Sequence, residues 1–167
     1  IAGPCFQAWW GMNNLEGWGG KNPDWWYMRQ EALAKKILAR ERELGMQPVL
    51  PGYAGMVPSD IAKKGYSANN QGNWCGLVRP YILDPNTQAF ADISEKYYAR
   101  LAEVMGTSAY YSMDPFHEGA NTSGIDVASA YKRIGEAMFK ANSKAKWVIQ
   151  FWQWSGAQYH VLDKVEK

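Results

Sequence analysis

The feature that most constrains the fold is an alternation. Four short apolar runs, Phe6–Trp10, Pro48–Pro51, Ala109–Met113 and Trp147–Trp152, are each followed by a polar or Gly-containing stretch and then by a segment with helical spacing. Strand, loop and helix repeated in this way imply parallel βαβ units joined by right-handed crossovers. The long connections all follow strands, whereas the helix-to-strand joints are only a few residues. That asymmetry is the pattern of an α/β barrel, which carries its chemistry at the C-terminal ends of the strands. A doubly wound nucleotide-binding sheet is the competing architecture, but no G-x-G-x-x-G or phosphate-binding loop occurs at a strand-to-helix turn.

Local signals place the elements. Asp24 is the expected N-cap of a first helix carrying Leu33, Ile37 and Leu44, with Gly45 closing it. After the second strand, Val57–Leu83 is a long excursion with a helical turn expected at Ser59–Lys64. Asp84-Pro85 reads as the start of a second helix, with Phe90, Ile93, Tyr97, Leu101 and Val104 on one face and Gly106 at its end. Asp126 is the expected cap of a third, whose stripe is Val127, Tyr131, Ile134 and Met138. A last amphipathic segment spans Ala157–Val165. About four βα units amount to roughly half of an eight-fold barrel. The expected fold class is therefore α/β, a partial (β/α)8 barrel of the TIM type, with residues 1–167 as a single segment.

Composition narrows the function. The chain is 47% hydrophobic and 20% charged with a formal net charge of +2, and no basic run interleaves with aromatics, so neither a nucleic-acid nor a membrane partner is expected. No apolar run approaches the ~20 residues needed to span a bilayer, and the opening residues are not expected to act as a signal peptide. Cys5 and Cys75 lack metal-ligand spacing; they are paired or free. Aromatics are the anomaly: nine Trp and ten Tyr exceed what a core of this size requires, and many sit in Gly-rich stretches. Trp on loops at the open end of a scaffold suits stacking on sugar rings, whose C–H faces are apolar. For any single Trp, packing of its loop onto the domain is the competing explanation.

The chemistry concentrates in Ala109–Gly119. Its first residues suit a buried strand, and Pro115 ends the ladder. Phe116, His117 and Glu118 then precede Gly119, placing a carboxylate and an imidazole where the strand stops. In a barrel that end of a strand is the catalytic face. The plainer alternative is a solvated glutamate beside a hydrogen-bonded loop histidine. Asp114 is expected to point inward, either holding a pocket residue or touching sugar. The other acids have structural explanations: Asp24, Asp84 and Asp126 as caps, and Glu95, Glu103 and Glu136 on solvated helix faces.

Phe6-Gln-Ala-Trp-Trp-Gly-Met-Asn-Asn-Leu-Glu-Gly-Trp-Gly-Gly resembles the signature of the α-N-acetylglucosaminidase family of glycoside hydrolases. Gly45-Met-Gln-Pro-Val-Leu-Pro-Gly-Tyr-Ala-Gly-Met-Val-Pro, Asp114-Pro-Phe-His-Glu and Gln150-Phe-Trp continue the resemblance in order along nearly the whole chain. It implies a retaining, exo-acting hydrolase that releases terminal α-linked N-acetylglucosamine from glycans, with two glutamates and without metal or cofactor. Carried over by motif, Glu118 matches the acid/base, and Trp9 and Trp152 match the aromatic walls of the sugar pocket. His117, Asn14, Trp74 and Asp114 are further candidates for substrate binding. The family's usual Asn before the acid/base is His117 here. The resemblance numbers the strands two to five of the barrel and puts the nucleophile beyond Lys167, so the chain needs the remaining half of the barrel. Family members are lysosomal or secreted, periplasmic in bacteria.

Two other functions compete. A non-catalytic carbohydrate-binding module would use the same Trp residues without a second carboxylate, but half a barrel leaves two parallel edges that binding modules rarely expose. A retaining β-glycosidase of the same barrel clan is the other, and the Trp-Trp-Gly-Met-Asn-Asn-Leu stretch argues against it.

Overall fold

The computed structural model describes residues 23–74, 76–116 and 120–149. The expected strand Phe6–Trp10, the second half of Trp147–Trp152, the segment Ala157–Val165, both cysteines, and Trp9, Asn14, His117, Glu118 and Trp152 lie outside them.

Three parallel strands, β1 (Val49–Pro51), β6 (Tyr110–Ser112) and β7 (Lys146–Val148), form one sheet in sequence order. Leu50 lies opposite Tyr111, and Tyr111 opposite Trp147. Sequential parallel order is what a barrel requires, although the described strands do not close one. Helices α1 (Asp24–Glu43), α2 (Gln88–Met105) and α3 (Val127–Ala141) complete the layer; α2 links β1 to β6, and α3 links β6 to β7.

Two of the three expected helix caps differ. Pro23, not Asp24, is the N-cap of α1: its extended backbone offers its carbonyl to the Trp26 N–H at 2.9 Å, which puts Asp24 in the first turn. There its negative charge favours the positive end of the helix dipole. Asp84 makes a turn of its own instead of capping α2, its Oδ1 accepting from the Asn86 N–H and from Asn86 Nδ2, both at 2.9 Å. That turn delays the helix until Thr87, whose hydroxyl accepts from the Phe90 N–H. Asp126 caps α3 as expected, accepting from the Ser129 N–H at 3.2 Å and the Ser129 hydroxyl at 2.7 Å.

The core lies between sheet and helices. Leu50, Tyr111 and Met113 meet Phe90 and Tyr98 of α2 and Ile134 and Met138 of α3. Tyr53 stacks on Phe90 and Tyr97, with ring centroids 5.5 and 5.2 Å away. Phe90 belonged to the expected stripe of α2, but Ser94 and Tyr98 are its other fully buried residues, so the inward face is turned slightly from the expected one. On α1 only Leu38 is buried, while Leu33, Ile37 and Leu44 are exposed.

The excursion after β1 carries β2 (Met56–Val57), a 3-10 helix over Ser59–Lys64, β3 (Asn73–Trp74), β4 (Leu77–Val78) and β5 (Tyr81–Ile82). Strands β2 and β5 pair antiparallel, as do β3 and β4. The 3-10 helix falls on the expected turn. The two small antiparallel pairs were not anticipated, because two-residue strands are too short for hydrophobic periodicity to register.

Candidate functional site

Where the parallel strands end, space is tight. Gly52, directly after β1, donates its N–H to the Ser112 carbonyl at 2.9 Å. A Cβ there would stand 2.4 Å from both Cγ and Sδ of Met113. The chains following β1 and β6 therefore leave the sheet in contact.

The chain after β6 is held by groups that meet its backbone. The Trp147 indole Nε1 donates to the Met113 carbonyl at 2.9 Å, and the Tyr131 hydroxyl donates to the Pro115 carbonyl at 3.0 Å. Those two rings stack at 5.9 Å, nearly parallel at 19°, so each braces the other's donor. Phe116 packs on Tyr131 at 5.8 Å with φ of 60°, a left-handed backbone unusual for an aromatic residue. Strain of this kind persists only where the surroundings over-determine it, and here buried packing and the adjacent anchored carbonyl do so. His117 and Glu118 follow at once in sequence.

Asp114, half-buried, sits inside this clamped stretch. Burial first, and the Asp114 carboxylate second, push the Tyr131 phenol up to about 12. The hydroxyl therefore keeps its proton and its bond to Pro115 throughout the neutral range.

A second set of contacts reaches the same loop from the excursion. Gln71 is buried, and its Oε1 accepts from the Asn121 N–H at 2.8 Å while its Nε2 donates to the Asn121 carbonyl at 3.2 Å and the Asn69 carbonyl at 3.0 Å. Asn69 Nδ2 donates to the Ser123 carbonyl at 2.9 Å, and Asn121 Nδ2 to the Asn70 carbonyl at 3.0 Å. The excursion after β1 is thus tied to the residues that follow Gly119.

Of the expected site residues, the structure describes Asp114, together with the backbone of Trp74 in the β3–β4 hairpin, just past Gln71. Trp9, Asn14, His117, Glu118 and Trp152 lie outside the described residues. Gln71, Asn121, Tyr131 and Trp147 were not anticipated at the site. The sequence showed Gln71 and Asn121 only as members of polar loops, and Tyr131 and Trp147 only as apolar stripe and strand.

The acids assigned to helix surfaces are there, paired and exposed: Glu95 with Lys140 at 2.7 Å, Glu103 with Arg100 at 2.6 Å and Glu136 with Arg133 at 2.8 Å. No group of three or more His, Cys, Asp or Glu among the described residues is arranged to hold a metal ion.

Residues 1–166 match the family described as the alpha-N-acetylglucosaminidase (NAGLU) TIM-barrel domain. The chain belongs to that family. Human alpha-N-acetylglucosaminidase is 32% identical over 160 residues, which covers 91% of this chain and 22% of the human protein. A family 89 glycoside hydrolase from Clostridium perfringens, solved in complex with 2-acetamido-1,2-dideoxynojirmycin, superposes with a TM-score of 0.90 at 35% identity, covering 100% of this chain and 20% of that one. A variant of the Clostridium protein with two glutamates replaced by glutamine, in complex with its substrate GlcNAc-alpha-1,4-galactose, gives a TM-score of 0.89 at 35% identity, with the same coverage of both chains. This chain spans about a fifth of the length of these relatives. The three parallel strands in sequence order are accordingly part of a TIM-barrel domain.

Proposed function

We propose that this chain is about half of the catalytic barrel of a retaining, exo-acting glycoside hydrolase that removes terminal α-linked N-acetylglucosamine from glycans. Glu118 is its general acid/base, and the nucleophile lies beyond Lys167. One observation carries the reading: in a chain of this family, β6 runs parallel between β1 and β7, and Glu118 follows its clamped C-terminal end. In barrel enzymes that end of a strand supplies catalytic groups.

Other observations support it. The Clostridium relative binds a 2-acetamido sugar analogue and takes GlcNAc-alpha-1,4-galactose as substrate. The two glutamates substituted in its variant are separated by more residues than remain here between Glu118 and Lys167. Such a spacing suits a carboxylate pair split between this segment and the rest of a barrel. Among the described residues, β7 is an edge of the parallel sheet, and Met28, Leu33 and Ile37 of α1 are exposed, surfaces that the remaining half would cover.

In the first step the Glu118 carboxyl gives its proton to the glycosidic oxygen while the second carboxylate attacks the anomeric carbon, ~5–5.5 Å away in retaining enzymes. The C–O bond breaks, the neutral alcohol leaves, and a glycosyl ester forms. In the second step Glu118, now a carboxylate, takes a proton from water as the water's oxygen displaces the ester. To hold its proton near neutral pH, Glu118 needs apolar neighbours and a nearby like charge. Buried Phe116 is two residues away, and the nucleophile supplies the charge. Trp9 and Trp152 stack on the sugar, with His117, Asn14, Trp74 and Asp114 as polar and aromatic partners.

The test is Glu118→Gln in the complete protein. Turnover of a natural disaccharide should fall by about 10²–10⁴-fold, the usual contribution of general acid–base catalysis. The first step on an activated aryl glycoside, whose leaving group hardly needs a proton, should be spared. Disaccharide hydrolysis within a few-fold of wild type would mean that the acid is elsewhere.

A further inference from the structure

We infer that Gln71 is a positioning residue for the strand-end carboxylate, acting from the neighbouring βα loop on the segment that carries Glu118. The inference rests on the acid/base reading of Glu118 proposed above.

Gln71 makes a demanding set of contacts. A buried primary amide is favourable only when its donors and acceptor find partners. It engages both backbone groups of Asn121 at once, the N–H at 2.8 Å and the carbonyl at 3.2 Å, as the edge of a strand would. The second proton of Nε2 goes to the Asn69 carbonyl in its own loop at 3.0 Å. Two opposed bonds to one residue fix its orientation as well as its distance. An apolar side chain would fill the same space without fixing the loop's direction.

The other end of the segment is fixed by different elements. Tyr131 of α3 holds the Pro115 carbonyl, Trp147 of β7 holds the Met113 carbonyl, and Phe116 is packed in a left-handed turn against Tyr131. Phe116 and Asn121, which bracket residues 117–120 in sequence, are therefore each anchored, the first by α3 and β7 and the second by the loop after β1. General acid catalysis depends on such anchoring, because an ångström of misplacement costs about 10²-fold in rate. Gln71 directly precedes Gly72, whose carbonyl accepts from the Arg79 N–H at 3.0 Å at the base of the hairpin that carries Trp74. The residue whose side chain holds Asn121 therefore stands at the foot of that hairpin.

The experiment compares leaving groups in the complete enzyme. We would measure kcat/KM for an N-acetylglucosaminyl-α-1,4-galactose disaccharide and for a dinitrophenyl α-N-acetylglucosaminide, in Gln71→Leu, Tyr131→Phe and Glu118→Gln. Gln71→Leu should lower the disaccharide value by about tenfold or more, within the 10²-fold scale of misplacement, and change the dinitrophenyl value by less than about threefold. Tyr131→Phe, which removes one hydroxyl and keeps the ring, should lose activity with the same leaving-group preference and keeps the test open if Gln71→Leu does not fold. A purely structural role would lower both substrates in proportion to the folded fraction. Proportional loss, or no loss, in Gln71→Leu and Tyr131→Phe while Glu118→Gln is selective overturns this inference alone. If Glu118→Gln is not selective, the acid/base reading falls and this inference with it.

Discussion

Gly52→Ala isolates steric contact at the strand ends. Gly52 does not occupy a left-handed conformation, so alanine's backbone preferences are no obstacle. The added methyl would lie 2.4 Å from two atoms of Met113 and 3.0 Å from its Cε. Met113 is 1% exposed, and its Sδ accepts from the Tyr98 hydroxyl at 3.5 Å, which in turn accepts from the Tyr53 N–H at 3.1 Å. Moving Met113 aside therefore disturbs a buried chain of contacts. Overpacking of this kind costs about 1–3 kcal/mol, and the weak bond to sulfur adds little. Met113→Ala alone should cost about 2–5 kcal/mol through the cavity it opens. In the double variant the two defects share one space, so the loss should be at least about 1 kcal/mol less than the sum, within the range measured for touching residues. Denaturant unfolding of the complete protein, followed by Trp fluorescence, would give the cycle. Additive losses, or an unchanged midpoint for Gly52→Ala, would refute the close approach of the two strand ends.

Further outcomes follow from the same contacts. Asp126→Ala should destabilise by about 0.5–2 kcal/mol through loss of a helix cap, whereas Glu95→Ala, which removes an exposed ion pair, should stay within about 0.5 kcal/mol; thermal melts would compare them. Trp9→Ala and Trp152→Ala should each weaken N-acetylglucosamine binding by about 1–3 kcal/mol, while Trp25→Ala, at an exposed position on α1, should not; calorimetric titration reads the difference. Burial pushes the phenols of Tyr98 and Tyr131 up to about 12 and raises those of Tyr53 and Tyr97 as well. A phenol with its folded pKa above the unfolded value of about 10 binds its proton more tightly when folded. Its contribution is fully present below that pH and is lost as pH rises through the folded pKa. Stability should fall from pH about 10 upward, and Tyr131→Phe should shallow that fall in melts taken against pH.

Much of the fold was legible in the sequence because its signals are local. Pro and Gly bracket the apolar runs that became β1 and β6, and Asp126 stands where a cap and the stripe Tyr131, Ile134 and Met138 agree. Competing local chemistry defeated other expectations. Asp84 found nearer donors in Asn86, and Pro23 was already extended enough to begin α1. Helical spacing established α1 but not which side is covered: Leu33 and Ile37 are exposed while Leu38 is buried. At the site, Pro115 marked the strand end correctly. Nothing local distinguishes Gln71 from any loop amide, because its partner Asn121 is fifty residues away and only the fold brings them together.

The most direct test of the central claim, that Glu118 is the acid/base of a retaining glycosidase, is rescue by azide. In Glu118→Ala of the complete protein, an activated aryl α-N-acetylglucosaminide should still form the glycosyl ester, which then waits for a base that is gone. Azide needs no base and fits the space the side chain vacates, so it should restore turnover and leave as the α-glycosyl azide, with configuration retained. Rescue with that product is the predicted result. No acceleration by azide, or a β-configured azide, would contradict the account.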